Sequence, residues 1–471
     1  MDMPISTSDG EKAATAAPHV AILPSSGMGH LTPFLRFAAT LAAQGCKVTL
    51  LTIQPTVSSS ESLHLSRFFS SFPHIQPLEF HLLPFNPSTA SSTDPFFLHF
   101  EAIRRSAHLL PSLLTSSTPP FSALITDITL ASAVANLPLP FSNYIFFTSS
   151  ASMLSFCACF PTTYSANGGD FHIPGLPSPI PNSSIPPLLH IPTNLFTTQF
   201  VANGRALVET DGILVNTFAA LEPETLAALN SSKVVPGLPP VIAAGPLEPC
   251  GFEQSDMKLP WLDEQPAGSV VYVSFGSRTA LSEDQIKQLG DGLERSGCRF
   301  LWVVKSKVVD KDDQVVDLGD LVGIDFLERV KDRGLVVKNW VDQWEVLGHP
   351  AIAGFVSHCG WNSVTEAAMQ GVPILAWPQF GDQKINAEVV ERNGLGIWVK
   401  EWGWGREMVV MGDEIGRRVK ELVTDAGLKA SAARIGEKSR QAVGVQGTRG
   451  KALAEWIEMW SHRLSAAGAA L

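Results

Sequence analysis

Two successive series of short, almost wholly apolar segments run through this chain, and each segment is followed by a stretch of helical periodicity. The first series reads HVAILP (19–24), KVTLLT (47–52), IQPLEFHLLP (75–84), ALITD (123–127), YIFFT (144–148), GILVNT (212–217) and VIAAG (241–245). The second reads SVVYVSFG (269–276), RFLWVVK (299–305), GLVVKNW (334–340), AIAGFVSH (351–358), VPILAWP (372–378) and LGIWVK (395–400). Segments this apolar suit parallel strands covered on both faces, not strands with one face in water. Helical patterns lie between them, for example at 282–296, 364–370 and 414–424. The expected fold class is therefore α/β, as two doubly wound, Rossmann-like domains.

At 471 residues the chain exceeds one ordinary core. Periodicity suggests a flexible polar N-terminus at 1–18, a first domain at 19–247 and a linker at 248–261. A second domain at 262–449 follows, then a C-terminal helix at 450–471 that could return to the first domain. The Ser/Pro-rich tracts at 54–93 and 173–193 are interleaved with Phe, Leu and Ile, so they read as ordered loops and short helices.

Charge narrows the partners. With 34 basic and 45 acidic residues the net charge is −11, and no basic stripe is present to neutralise phosphates. Nucleic acid and anionic membrane are poor candidates. No apolar run reaches membrane-span length: the most apolar region, 122–160, is broken by Asp127, Pro138 and Pro140. The N-terminal residues lack a signal-like apolar stretch, so a cytoplasmic location is expected. Of six cysteines only Cys157 and Cys159 are close, a weak metal pattern better read as reduced core thiols. No metal site is expected. Nothing reports oligomeric state, and a monomer is the default.

In a doubly wound sheet, ligands sit beyond the carboxyl ends of the neighbouring first and fourth strands. In the first domain those ends are the turn Ser25-Ser26-Gly27-Met28-Gly29-His30 and Asp127. An imidazole donating one nitrogen to a carboxylate is fixed in one tautomer and made more basic, as a general base requires. The same spacing also fits a helix-capping His beside an unrelated turn Asp, and geometry must decide. In the second domain the rule pairs Gly276-Ser277 with Ser357-His358, next to a helix start at Trp361-Asn362-Ser363. Unpaired N–H groups there, with a hydroxyl and an imidazole, suit a phosphate or diphosphate.

Other chemistries fit less well. The Gly27-Met28-Gly29 turn lacks the third glycine of a dinucleotide fingerprint, since Thr32 stands there, and the second strand ends in Thr52-Ile53-Gln54 without a ribose-binding acid. Its glycines are better read as a tight turn giving a substrate access to His30 past Gly29. No G-x-S-x-G elbow occurs. A two-carboxylate glycosidase stays open on residues alone.

The stretch WVDQWEVLGHPAIAGFVSHCGWNSVTEAAMQGVPILAWPQFGDQ (340–383), with the Gly-Met-Gly-His turn and VNTFAALEPE (215–224), resembles plant family-1 UDP-glycosyltransferases of the GT-B fold, whose two domains face each other across a cleft. The resemblance covers the chain after about residue 18. It implies UDP-glucose as co-substrate and no cofactor or metal. It also implies that Trp340 stacks on uracil, with Val341 beside it and Gln343 on the base edge. Glu366 would hold the ribose hydroxyls, and Ser277, His358, Asn362 and Ser363 the diphosphate. Trp361, Asp382 and Gln383 would read the sugar, with His30 as catalytic base and Asp127 as its partner. One departure is Phe380-Gly381, where most members have an aromatic followed by Thr or Ser.

Asp94-Pro95-Phe96-Phe97, Asp127-Ile128, Ser277-Arg278, DPFFLHFEAIRRSA (94–107) and LFTTQFVANGR (195–205) resemble the branch that attaches sugars to carbon on flavonoid precursors such as 2-hydroxyflavanones and dihydrochalcones. A phloroglucinol-type phenolate carries nucleophilic density on its ortho carbons, so orientation selects carbon over oxygen. An apolar acceptor cleft is expected from Gly29, Phe96, Phe97, Thr148, Phe196, Phe200 and Phe380, although any one Phe is more often core than pocket. O-glucoside formation on the same phenols, a silent sugar-nucleotide binder and a nicotinamide enzyme are the competing readings.

Overall fold

The computed structural model describes residues 17–89, 92–164, 169–253, 259–305, 317–338, 341–405, 407–444 and 446–468. Within them, β1 (His19–Leu23), β2 (Lys47–Gln54), β3 (Gln76–His81), β4 (Ala123–Asp127), β5 (Ser142–Phe147), β6 (Gly212–Val215) and β7 (Val241–Ala243) form one sheet, in the order β3-β2-β1-β4-β5-β6-β7. A second sheet contains β8 (Val270–Ser274), β9 (Arg299–Val303), β10 (Gly334–Val337), β11 (Ile352–Ser357), β12 (Ile374–Ala376) and β13 (Gly396–Trp398), in the order β10-β9-β8-β11-β12-β13. Every pairing is parallel. These are the two doubly wound sheets the apolar runs imply, and each run contributes one strand.

The central strands β1, β4, β5, β8 and β11 are buried along their whole length. Side chains alternate across the sheet. Val20 and Ile22 enter one core and Ala21 and Leu23 the other, and Val270 and Tyr272 divide from Val271 and Val273 in the same way. The strand β3 differs because it lies at a sheet edge: Gln76, Glu79 and His81 are exposed and only Phe80 is buried.

Helix starts follow the local chemistry. Ser282 caps the helix Glu283–Ser296 by accepting from the Gln285 N–H, and Gly297 ends it in the left-handed conformation. Asp94 caps Pro95–Ser106, with Pro95 at the first turn where its missing N–H costs nothing. The first Ser/Pro-rich tract carries the helix Ser59–Ser71, and the second carries the short turns Asn182–Ser184 and Pro187–His190. Residues 1–16 of the polar N-terminus lie outside the described set.

The chain's last helix, Thr448–Gly468, packs against the first sheet. Tyr144 of β5 meets Trp456 and Trp460 at ring distances of 5.0 and 5.5 Å. A Cβ on Gly212 of β6 would lie 2.4 Å from the Trp456 ring, so the strand needs glycine there. Among the described residues no helix is long and apolar enough to cross a membrane. Trp460 is fully buried. Trp460→Ala is expected to cost about 3–5 kcal/mol, as for other buried Trp truncations, and to lower the thermal midpoint read by circular dichroism.

Candidate functional site

The carboxyl ends of β1 and β4 lie side by side, with Leu23 paired to Thr126. The next residue on β4 is Asp127, fully buried. After β1 the chain turns through Gly27, at φ +96°, into the helix Met28–Ala43, which presents His30. The imidazole Nδ1 donates to Asp127 Oδ2 at 2.8 Å. The other carboxylate oxygen accepts the Thr129 N–H at 2.8 Å. That leaves His30 Nε2 with no hydrogen-bond partner among the described residues, and the side chain is 30 % exposed. The open space around Gly29, with nothing within 4 Å of where a Cβ would stand, gives access beside it.

Electrostatics tune this pair. Burial, the strongest influence on His30, favours the neutral ring. The Asp127 charge, its hydrogen bond and the more distant Asp382 outweigh burial and hold the pKa above the ordinary 6.5, against a smaller lowering by Arg278. Burial pushes Asp127 up, but His30 and the bonds from Thr129 bring it below its usual value. The arrangement is a carboxylate-oriented imidazole with its outer nitrogen free to take a proton.

In the second lobe Ser357 of β11 pairs with Ser274 of β8, so His358 emerges beside Phe275 and Gly276. A Cβ on Gly276 would stand 2.6 Å from His358 Nε2, and one on Gly360 2.5 Å from it. The imidazole is thus held between two glycines. Its Nδ1 is buried without a hydrogen-bond partner. Burial first, and then the Lys305 charge, bring its pKa down to about 4. The ring is neutral near pH 7. The helix Trp361–Gln370 starts directly after Gly360, which offers no capping side chain. Its first-turn N–H groups are free to meet an anion.

Around this helix start Ser363 Oγ accepts from Gln343 Nε2 at 3.1 Å, and the same nitrogen donates to Glu366 at 2.7 Å. Ser277 and Asn362 are half-buried at the cleft. Val341 sends its side chain into the second lobe's core. Trp340 lies outside the described residues. The Trp361 indole N–H donates to the Asn216 carbonyl of the first lobe at 2.5 Å, so the side chain's one polar group is already engaged. Gln383 Oε1 accepts the N–H groups of Gln379 and Phe380 at 2.8 and 3.0 Å. Asp382 accepts from Ser149 of the first lobe and, at 2.9 Å, from Asn386.

Aromatic groups gather beside the turn before His30, with Phe96 3.4 Å from where a Cβ on Gly27 would stand. Phe97 stacks obliquely on Phe196 at 5.1 Å. Phe96 lies under the Arg278 guanidinium at 4.1 Å, and Phe380, 39 % exposed, is 5.9 Å from it. Arg278 also pairs with Asp94 at 3.1 Å. Thr148 Oγ1 stands 3.4 Å from His30 Nδ1. Phe200 sits deeper, against the buried Phe156 and Phe160 at 5.7 and 5.5 Å. Gly381, the departure from the resemblance noted above, takes φ +67°, a conformation that favours glycine. Cys157 and Cys159 are buried in one helix, and burial pushes both thiols up to about 12, which disfavours metal-binding thiolates. Among the described residues no cluster of His, Cys, Asp or Glu could hold a metal ion.

The family model described as UDP-glucoronosyl and UDP-glucosyl transferase matches residues 250–433. UDP-glycosyltransferase 708G2 of Citrus unshiu is 56% identical over 462 residues, covering 94% of this chain and 96% of that protein. The chain belongs to the plant UDP-glycosyltransferase family. UDP-glycosyltransferase CGT of Oryza sativa subsp. indica is 53% identical, over 95% of this transferase and 97% of the rice protein. Among solved structures, LpCGTa in complex with UDP is 51% identical with a TM-score of 0.84, covering 94% of this chain and 99% of that one. Phytolacca americana UGT2 with UDP-2fluoro-glucose and pterostilbene is 30% identical with a TM-score of 0.81, covering 94% and 100%. The fold is accordingly GT-B, and the transferase is an enzyme that uses a UDP-sugar.

Residues that strand-end reasoning missed are those that brace the transferase's cleft. Glu222 is buried and accepts from the N–H groups of Ala151 and Ser152 at 2.8 Å each, and from the hydroxyls of Ser152 and Thr217 at 2.7 Å each. It anchors the start of the helix Ala151–Thr163, just after Ser149 and Ser150, which reach Asp382 and Asn386 of the other lobe. The only sequence signal was the VNTFAALEPE stretch itself. Arg36 and Glu253 were also missed, and no local pattern marks them.

Gly276→Ala is expected to weaken UDP binding on the order of tenfold, by forcing a side chain into a positive-φ position against His358; calorimetric titration with UDP measures it. For a reaction in which His30 accepts a proton, the acid limb of the kcat/KM profile is expected above pH 6.5, because the imidazole must be neutral and its pKa is raised. In Asp127→Asn the stabilising charge is gone while burial persists, so the limb should move to lower pH along with a loss of rate. A pH–rate series on both proteins reads the shift.

Proposed function

We propose that this transferase is an inverting, UDP-glucose-dependent C-glucosyltransferase acting on flavonoid-type phenols such as a 2-hydroxyflavanone or dihydrochalcone. The observation that carries the reading is the His30–Asp127 pair with its free Nε2, set in the lobe opposite an uncapped helix start and a neutral His358. His30 takes the phenolic proton. The ortho carbon of the ring attacks the anomeric carbon of α-linked glucose, and UDP leaves from the opposite face, giving a β-C-glucoside. The proton on the attacking carbon then passes through solvent to the ring's carbonyl oxygen, which restores the phenol and its aromaticity, and His30 releases its proton to solvent. The diphosphate charge is met by the helix N–H groups, by Ser277, Asn362 and Ser363, and by the single N–H of His358. We read this donor set as sufficient without a metal ion or cofactor.

Support for carbon as nucleophile comes from relatives whose names carry CGT, in rice and in the solved LpCGTa structure. The aromatic wall of Phe96, Phe97, Phe196 and Phe380 suits a planar phenol, with Phe200 reinforcing it from behind. Gln343 and Glu366 fit the nucleoside, and Asp382 and Gln383 the sugar. The Trp361 side chain is committed to Asn216, so its contribution to sugar recognition would come through its backbone N–H. We place the enzyme in the cytoplasm as a monomer.

Incubation with UDP-glucose and phloretin, followed by boiling the product in acid, tests the reaction. A C-glucoside survives and an O-glucoside releases its sugar, which would establish the O-transfer reading favoured by likeness to an anthocyanidin 5,3-O-glucosyltransferase of a Rosa hybrid cultivar, 32% identical. His30→Ala is expected to lower kcat by ~10²–10⁴-fold, the usual worth of a general base, with UDP affinity unchanged. Loss of UDP binding in that variant would point instead to a structural role.

A further inference from the structure

The helix that presents His30 also carries Arg36, six residues on and about 9 Å along its axis. Arg36 is 5 % exposed and lies between two carboxylates from different parts of the chain. Its Nε and Nη2 donate to Glu253 at 2.8 and 2.6 Å, a two-pronged contact with the segment joining the lobes. The same Nη2 donates to Glu366 Oε1 at 2.6 Å, across the cleft. The other Glu366 oxygen accepts from Gln343 at 2.7 Å.

Two features of this triad point to a ligand. First, one guanidinium serves two carboxylates, the buried Glu366 and the half-buried Glu253, so the triad carries one uncompensated negative charge. Buried charge is costly unless further hydrogen-bond donors satisfy it. Glu253 has an additional N–H donor from Cys250 at 3.2 Å. Among the described residues Glu366 has one donor on each oxygen, which leaves a lone pair on each. A pair of vicinal hydroxyls supplies the two missing donors. Second, the Arg36 contact comes from the opposite lobe, through a helix whose start is fixed at the base.

We propose that Arg36 is a positioning residue for the sugar donor: it fixes the Glu366 carboxylate so that the ribose hydroxyls of the UDP-sugar dock on it, and so ties the donor to the helix that carries His30. This rests on the reading of Glu366 as the ribose ligand. Ribose, anomeric carbon and base are then in register through one rigid element, which is what near-attack alignment requires.

The test compares UDP with 2′-deoxy-UDP by calorimetry, because their affinity ratio isolates the ribose contact from general stability. The native enzyme should hold UDP ~10–100-fold tighter, the worth of one hydroxyl bond to a charged group. In Arg36→Gln the ratio should fall to about threefold or less, since the carboxylate loses its fixed orientation. Because Arg36→Gln leaves two carboxylates facing each other, Arg36→Gln with Glu253→Gln serves where the single variant fails to fold, and the same fall is expected. Glu366→Gln is the reference. If it lowers the ratio and the Arg36 variants keep the native value, the positioning role is overturned while the ribose reading stands. If Glu366→Gln itself keeps the native ratio, the ribose reading is overturned and the inference with it.

Discussion

The bond between His30 and Asp127 exists because β1 and β4 lie side by side and run the same way. Parallel pairing puts both carboxyl ends at one rim, and only there can a residue in the first turn of the helix after β1 meet the last residue of β4. The strands are buried on both faces, so the register is specified by packing and leaves little freedom to slip. Burying Asp127 would cost several kcal/mol if it were unpaired. The carboxylate offsets this by accepting on both oxygens, from the imidazole and from the Thr129 N–H. That second bond also starts the turn after β4, so one side chain orients the imidazole and ends its own strand. The second lobe repeats the logic with Ser274 beside Ser357 and His358 just past the rim.

Two rims make one site only when the lobes face each other, and the contacts that hold them are mixed. Apolar ones are few: Phe218 and Leu221 of the first lobe join a core of the second, and Ile385 of the second joins a core of the first. Polar ones are more numerous among the described residues. Trp361 donates to the Asn216 carbonyl, Ser150 to Asn386, and the Ser183 carbonyl accepts from both Lys384 and Trp404. Each neutral bond of this kind is worth about 1 kcal/mol net, because water can replace it. The interface is therefore specific in orientation without being an extension of either core, as expected between domains of one chain. The return of the last helix to the first sheet, through Trp456 and Trp460, crosses the same divide by chain connection.

The fold was legible because burial on both faces writes itself into composition. All thirteen apolar runs became strands, and both sheets have the doubly wound order among the described residues. The paired strand ends were legible for the same reason, since the order of strands dictates which ends are neighbours. What could not be read were contacts between residues far apart in sequence with no periodic signature. Arg36 sits in an apolar helix and meets Glu253 and Glu366, 217 and 330 residues away. Glu222, within the VNTFAALEPE stretch, is a buried carboxylate that accepts two hydrogen bonds on each oxygen, from partners the spacing does not reveal. Trp361 and Gln383 show a subtler limit. Their place at the cleft follows from the motif, but the engagement of the indole N–H by Asn216, and of the amide oxygen by Gln379 and Phe380, depends on local packing that spacing does not encode.

The two rim histidines are tuned in opposite directions. His30 has a buried anion at hydrogen-bond distance, and its pKa is raised despite burial. Among the described residues His358 has no anion at hydrogen-bond distance; it lies between two glycines and feels the Lys305 charge, so burial prevails and its pKa falls to about 4. A raised pKa makes His30 the stronger base at its free nitrogen. A lowered one keeps His358 neutral, so that it can offer one N–H without itself taking up a proton. Placing titratable groups of one kind in environments that separate their pKa values is how a single site divides proton acceptance from charge stabilisation. The glycines at 276 and 360 belong to that division, because a side chain at either would press on the His358 ring. In the proposed reaction the division also sets a direction across the cleft, with proton uptake in the first lobe and stabilisation of a departing diphosphate in the second.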